Sequence, residues 1–237
     1  MKLADIWAEV RTEKRSVVIL TSSAVLLTIA WYPAYYTSFL STLQVDLWTA
    51  HAMQFGADLV LMLIIPVIII KAVLHESVGE YGATLGDWRF GLKYVVIVGT
   101  AMAPFLYFGA RDPALIAEYP LLRQTYGADP MNPYLWEATY LVYYVAWEFH
   151  FRGFMQLGME KRVGAVHAIL IQTIVSTLIH VRKPFGEAFS AILGGWIMGI
   201  LAWRTRSIVW GILLHWYIGA ATDFFCYLNL VAAHANQ

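Results

Sequence analysis

Seven apolar segments, each near the length needed to cross a bilayer, constrain this chain more than any other feature of its sequence. A helix needs about 20 apolar residues to span the hydrocarbon. Only 14% of the residues are charged and 59% are hydrophobic, whereas soluble domains carry about 25% charged residues. The sequence therefore predicts an all-α polytopic membrane bundle of about seven transmembrane helices, within 16–36, 53–74, 91–110, 134–159, 163–182, 187–203 and 207–230.

The first 15 residues differ from everything that follows, because charged and apolar residues alternate in them. This pattern is typical of a short amphipathic helix on a membrane surface. They lack the apolar core and small-residue site of a cleaved signal peptide. We therefore expect an amphipathic segment at 1–15 and a single membrane domain at 16–237, since the sequence has no internal repeat.

The distribution of Lys and Arg predicts the orientation in the membrane. With a cytoplasmic N-terminus, four of these residues face outward and Arg152 lies within the membrane. Seven helices then place the C-terminus outside, and we expect an integral protein of a bacterial inner or plasma membrane. The net charge of zero argues against a nucleic-acid partner. Eleven basic residues face the cytoplasm in this orientation: Lys2, Arg11, Lys14, Arg15, Lys71, Arg89, Lys93, Lys161, Arg162, Arg204 and Arg206.

One apolar segment contains a carboxylate, an imidazole and a guanidinium, at Glu148, His150 and Arg152. Ionisable groups inside a bilayer are costly unless they are paired or hydrated, so they are candidates for function. Helical spacing places Glu137, Tyr144, Glu148 and Arg152 on one face. Glu148 and Arg152 are four residues apart and can share a charge-assisted hydrogen bond. The alternative is an ion pair that only fixes helix packing.

Two later helices carry histidines on polar faces. One brings together Gln172, Thr173, Ser176 and His180, although a histidine at a helix end is more often interfacial than catalytic. The other brings together Gly211, His215, Gly219, Asp223 and Cys226. An imidazole at the depth of His215 needs a partner inside the bundle.

Three helices thus each bring one unusual group, Glu148, His180 or His215, towards a polar interior. A carboxylate and two imidazoles can activate water and stabilise an oxyanion. They could also hold a zinc ion with an open position. Counting along straight helices puts His180 roughly 10 Å further out than the other two. The prediction therefore requires a buried turn between the fifth and sixth helices, or a helix that is tilted or shorter than drawn.

The spacing of these motifs resembles that of the CPBP (Abi, CaaX-protease and bacteriocin-processing) intramembrane endopeptidases. The resemblance covers about 134–225, and the lead-in Glu80-Tyr-Gly82 and Leu85-Gly-Asp87-Trp88-Arg89 is also similar. The matching elements are Glu148-Phe-His-Phe-Arg152-Gly153, His180 with Lys183-Pro184 and Glu187-Ala188, Gly194-Gly195 and Gly199, and Arg204-Thr-Arg206-Ser207-Ile208 leading to His215.

This resemblance implies a role for each candidate catalytic residue. Glu148 would position or deprotonate a water that His180 shares. His215 would line the oxyanion site, and Arg152 would hold the glutamate. The resemblance favours a glutamate-type protease without a cofactor. A zinc ion on Glu148, His180 and His215 is the alternative.

The sequence also departs from the family pattern at three positions. Trp147 stands where the family has a first glutamate, and Ser176 stands where it has phenylalanine. Gly219 replaces an asparagine, and Asp223 one turn further on is the expected substitute. Asp223, Tyr144 and Ser176 are therefore predicted to support the site or contact the substrate.

We accordingly expect an intramembrane endopeptidase that cuts a protein or peptide tail, with the substrate entering from the membrane or the cytoplasmic side. The alternative is a non-catalytic membrane scaffold or immunity-type relative that retains the polar cavity. An ion-coupled transporter is a weaker alternative, because the two halves show no symmetry of interrupted helices.

Overall fold

The computed structural model describes residues 3–32, 44–126 and 131–235, and these residues form helices joined by short connections, without strands. The predicted helical membrane bundle is confirmed. The expected end of the first membrane helix, at Tyr35 and Tyr36, lies outside the described residues.

The first half of the chain forms one surface helix and three long helices. Helix α1 is almost fully exposed, and it is followed after one residue by α2, which begins at Lys14 rather than at Ser16. A 3-10 turn at Val78–Tyr81 joins α3 to α4. The bounds are α1 Leu3–Thr12, α2 Lys14–Trp31, α3 Leu47–Leu74 and α4 Trp88–Gly109.

The second half contains the helices that carry the predicted site. A short helix, α5, and a 3-10 turn at Arg123–Thr125 precede α6. Between α6 and α7 the backbone is π-helical over Phe149–Leu157, and a 3-10 turn at His180–Arg182 ends α8. The bounds are α5 Pro113–Glu118, α6 Asn132–Glu148, α7 Gly158–Val163, α8 Ala165–Ile179, α9 Phe185–Thr205 and α10 Val209–Ala235.

Five helical segments of the described chain are long and apolar enough to cross a membrane: α2, α3, α4, α8 with its final turn, and α9. The two remaining long segments, Asn132–Val163 and α10, do not meet this criterion, although both were predicted to span. They carry Glu148, Arg152, His215 and Asp223. The prediction of seven spans therefore rests, for these two, on their place in the bundle rather than on apolarity.

The π-helical segment Phe149–Leu157 is the centre of the bundle, because each of its nine residues is buried. The largest hydrophobic cluster forms around it, with Trp147, Phe151 and Phe154 among its members. It packs against α8, α9 and α2. Polar groups in this segment are therefore surrounded by helices and shielded from lipid.

Two connections at one end of the bundle are tied to each other. Gly82 accepts a backbone hydrogen bond from Ile208, and the amide of Asp87 donates to Thr205. Gly86 has φ +51°, and a Cβ atom there would lie 1.9 Å from the Thr205 oxygen. Only glycine fits both the backbone angle and this close approach. These contacts fix the start of α10 relative to the connection between α3 and α4.

Candidate functional site

A buried carboxylate lies between an imidazole and a guanidinium at the start of the π-helical segment. Glu148 is 0% exposed. Its Oε1 atom is 2.7 Å from His215 Nδ1 on α10 and 3.1 Å from an Arg152 Nη1 atom one turn further on. The structure therefore brings together three of the four predicted catalytic residues.

The second carboxylate oxygen of Glu148 faces α10 at Gly211. A Cβ atom on Gly211 would lie 2.7 Å from Oε2, which is too close for any side chain. Within the described residues Oε2 has no hydrogen-bond partner. The small residue at position 211 is thus what allows α10 to approach the carboxylate.

Tyr144 lies one turn before Glu148 and packs against the ring of His215. Their ring centroids are 4.7 Å apart, and Tyr144 is buried. A Cβ atom on Gly219 would lie 1.9 Å from the Tyr144 hydroxyl oxygen. The phenol therefore occupies the space that a side chain at position 219 would take, which accounts for glycine there.

His180 also lies against the Trp147 ring. Trp147 packs edge-to-face against His180 at 5.4 Å and against His215 at 6.1 Å between ring centroids. The position where the family resemblance implies a first glutamate is thus occupied by an indole ring that contacts both imidazoles.

His180 lies at the level of Trp147 because the helical stretch before the turn is longer than predicted. It continues through the π-helical segment and α7 to Val163, four residues beyond the predicted end at 159. Glu148 therefore stands 16 residues before Gly164, and His180 stands 16 residues after it. Arg182 beyond His180 is exposed, so the turn between α8 and α9 is not buried as a whole.

Ser176 supports His180 through its backbone. His180 Nδ1 is 2.7 Å from the Ser176 carbonyl oxygen, while the Ser176 hydroxyl donates to the Thr173 carbonyl. Because a carbonyl oxygen only accepts, Nδ1 of His180 carries the proton. The Nε2 atom of neutral His180 therefore bears the lone pair.

The arrangement of these donors also bears on the alternative zinc site. The described residues include no group of three His, Cys, Asp or Glu side chains that could hold a metal ion. Glu148 and His215 bind each other, and the Trp147 ring contacts both histidines. The set Glu148, His180 and His215 therefore does not fit a zinc ion in this arrangement.

Asp223 belongs to a second polar cluster further along α10. Its carboxylate accepts hydrogen bonds from Trp136 Nε1 at 3.2 Å and from the Leu121 amide at 3.4 Å. The hydrogen bonds of Asp223 thus connect α10 to α6 and to the segment that precedes α6. The space over Gly219 is filled by Tyr144 and not by Asp223.

The connection between α5 and α6 is fixed by polar contacts that the sequence did not predict. Glu118 binds Lys183 at 2.5 Å, and the Tyr119 hydroxyl donates to Glu187 at 2.8 Å. Burial, followed by the charges around it, raises the pKa of Tyr119 well above its usual range, so the phenol stays a donor. The connection thereby covers the end of the bundle near His180.

Two glutamines also hold the site helices together. Gln156 donates to the Gly199 carbonyl at 2.7 Å, and Gln172 donates to the Gly195 carbonyl at 3.0 Å. Both glycines are on α9, where the missing side chain exposes the carbonyl to a neighbouring helix. The features of the sequence that could have predicted these bonds are two glutamines in apolar segments and a later segment rich in glycine.

One of the comparisons with known proteins found a similar family. Residues 130–221 match the family model described as Type II CAAX prenyl endopeptidase Rce1-like. No curated protein and no solved structure matched the chain. The match contains Glu148, Arg152, His180 and His215 and ends before Asp223. It confirms the resemblance predicted from the sequence, and at the level of the family it supports an intramembrane endopeptidase of the CAAX-protease type.

Proposed function

We propose that this chain, an integral membrane protein whose residues 130–221 are similar to Rce1-like type II CAAX prenyl endopeptidases, cuts a peptide bond in the tail of a protein or peptide. The observation that carries this proposal is the 2.7 Å contact between Glu148 and His215 inside the helical bundle. A carboxylate that orients an imidazole is a recurrent arrangement for moving a proton in hydrolysis.

His215 is the group that takes the proton from water in this proposal. Because ionised Glu148 only accepts, Nδ1 of His215 donates to it and Nε2 carries the lone pair. The side chain of His215 is 19% exposed, whereas that of Glu148 is 0% exposed. A water can therefore reach Nε2 more readily than the carboxylate. This assigns proton transfer to His215 and orientation to Glu148.

The reaction then balances without a further reactant. Nε2 of His215 removes a proton from water, and the resulting hydroxide attacks the carbonyl carbon of the substrate. The imidazolium, held by Glu148, returns the proton to the leaving nitrogen when the carbon–nitrogen bond breaks. His180 Nε2 accepts the second hydrogen of the water and so positions it.

Arg152 has a supporting role in this scheme. It is 2% exposed and lies 3.1 Å from the Glu148 carboxylate. The positive guanidinium compensates the negative charge of the buried carboxylate, and that carboxylate holds the imidazolium that forms on His215.

Since the residues do not fit zinc, no step is assigned to a metal. Persistence of cleavage in excess chelator is the expected result, and loss that zinc restores would contradict it.

The test compares peptide termini in membrane and secreted fractions from cells that carry wild type, Glu148→Gln or Glu137→Gln. Glu137 is on the same helix and its carboxylate accepts from Tyr126, so it is a matched control. We expect a small set of proteins to keep an uncut tail only with Glu148→Gln. Identical termini in all three strains would overturn the proposal.

A non-catalytic scaffold is the second candidate, and the position of Trp147 favours it. The ring of Trp147, 2% exposed, stands where the family has a glutamate and contacts both histidines. A scaffold requires the shape of the cavity and not its proton chemistry. It therefore predicts that Glu148→Gln keeps the cellular phenotype while Tyr144→Ala loses it.

A further inference from the structure

A basic cavity lies where three helices meet at the end of the membrane spans. It has a volume of about 300 Å³ and is formed by the end of α1, the start of α2 and the end of α3, with one residue of α7. The membrane span of α2 begins at Lys14, and the span of α3 ends at Leu74. The cavity is therefore at the level of the lipid headgroups. Its charged and titratable lining residues are Arg11, Lys14, Arg15, Arg162, His75 and Glu76.

The charges around this cavity are only partly balanced by the protein. Four permanent cations line it with one carboxylate, Glu76, which binds Arg15 at 3.0 Å, and Glu13 beside the cavity lies 4.0 Å from Arg162. Within the described residues, the buried Nε and Nη2 atoms of Arg15 have no hydrogen-bond partner. The Lys14 ammonium donates to the backbone carbonyl of Val73 at 3.4 Å. Unpaired guanidinium donors beside further cations form a site for a phosphate group.

An apolar groove continues from the same two helices into the membrane. It has a volume of about 420 Å³ and is lined on α2 by residues that include Val17 and Val25, and on α3 by Ile65 and Ile69. Val17 is two residues after Arg15, and Ile69 is one turn before Val73. The basic cavity and the apolar groove thus follow each other along one helix pair.

We propose that this combined site binds one anionic phospholipid, with its headgroup phosphate among Arg15, Lys14 and Arg162 and an acyl chain along the groove between α2 and α3. Basic pockets between membrane helices bind lipid headgroups in this way. The groove distinguishes a lipid from free phosphate, because free phosphate has no use for apolar surface. The exposed Leu3 and Trp7 of α1 lie beside the headgroup level and fit a helix resting on the same lipid layer.

The probe is phosphatidylglycerol added to the purified full chain in detergent, with phosphatidylcholine and inorganic phosphate in parallel, and bound lipid is counted by native mass spectrometry. The variant Lys14→Gln/Arg162→Gln leaves the Arg15–Glu76 pair intact. We expect about 25-fold weaker retention of phosphatidylglycerol, from about fivefold for each basic residue removed. The matched control Arg89→Gln/Lys93→Gln removes two exposed basic residues at the start of α4 and should retain the lipid.

A second variant tests the groove independently of charge. Val25→Trp fills the groove from a position that is 54% exposed, and Val96→Trp makes the same change on α4 at 58% exposure. We expect loss of bound lipid with Val25→Trp only. Equal retention of phosphatidylglycerol and phosphatidylcholine would overturn the proposal. So would displacement by inorganic phosphate with no effect of Val25→Trp, since that result indicates a free-phosphate site.

Discussion

The helix α4 and the π-helical segment show opposite relations between polarity and burial. Of the 22 residues of α4, only Gly91 and Gly99 are buried, and the helix is apolar enough to cross a membrane. Each of the nine residues of Phe149–Leu157 is buried, although His150, Arg152 and Gln156 are among them. In a soluble protein this relation is reversed.

The difference follows from the solvent that each region meets. Lipid cannot hydrogen-bond to polar groups, so a helix that faces lipid must be apolar. Polar side chains are tolerated only where other helices satisfy them. Apolarity along this chain therefore reports contact with lipid, and its interruption at Glu148 and His215 marks the interior. Function is expected where the hydropathy signal is weakest.

The largest effect is expected from removing a charge at the polar centre. Arg152→Ala leaves the buried Glu148 without its guanidinium partner, and breaking a buried ion pair in this way costs about 3–5 kcal/mol. The unfolding midpoint and the yield in the membrane should both fall. Lys93→Ala on exposed α4 should change neither. The double variant Glu148→Gln/Arg152→Ala should recover part of the loss, because it leaves no orphan carboxylate. If Arg152→Ala were as stable as wild type, the π-helical segment would not differ from α4 in its need for paired polar groups, and the prediction would be contradicted.

A smaller effect is expected from adding one methyl group beside the carboxylate. Gly211→Ala places a Cβ atom 2.7 Å from Glu148 Oε2, so the carboxylate must move away from His215. Displacement of a catalytic group by about 1 Å can lower turnover about 10²-fold. Gly56→Ala on α3 meets nothing within 4 Å and should be silent. If Gly211→Ala and Gly56→Ala had equal turnover, the position of the Glu148 carboxylate would not matter for activity, which would contradict the prediction.

A modest effect is expected from the interhelical hydrogen bonds. Gln156→Leu removes a bond to the Gly199 carbonyl on α9, and such bonds contribute about 0.6–2 kcal/mol in membranes. Thr28→Val is the control, because Thr28 is exposed and bonds only within its own helix. Unfolding in mixed micelles measures both. A larger loss of unfolding free energy for Thr28→Val than for Gln156→Leu would contradict the view that polar groups in the interior contribute more to stability than those facing lipid.

The smallest effect is expected outside the membrane. The hydrogen bond from Lys161, 2.8 Å from Glu80, lowers the pKa of that exposed carboxyl below its usual 4.5. A lowered folded-state pKa gives stability above the unfolded pKa that is lost as the pH falls through the folded pKa. Lys161→Gln should therefore be slightly less stable than wild type at pH 7 and equal to it at pH 3. A difference that persists at pH 3 would show another cause.

The sequence predicted the helical bundle because the apolar segments reflect contact with lipid directly. It also predicted the pair Glu148 and Arg152, since residues four apart meet on a helix. The π-helical geometry after Glu148 could not be predicted from a period of 3.6 residues. His180 reaches Trp147 because α7 extends the preceding helical stretch to Val163, beyond the end predicted at 159.

The contacts of the small residues were equally hidden in the sequence. Gly219 and Asp223 share a helix face, so Asp223 was the expected substitute for a missing side chain. The structure fills that space from α6 instead, with the hydroxyl of Tyr144. Which helix supplies a side chain to a gap depends on packing between helices, and the spacing within one helix does not encode it.

The central claim is that Glu148 and His215 act together on a peptide bond. The direct measurement is single-turnover cleavage of a tail peptide, identified by its uncut terminus, by purified wild type, Glu148→Gln and Glu137→Gln in nanodiscs. The account predicts that Glu148→Gln cleaves about 10²- to 10⁴-fold more slowly while Glu137→Gln keeps the wild-type rate. Cleavage by Glu148→Gln at the wild-type rate, in protein that remains folded, would contradict it.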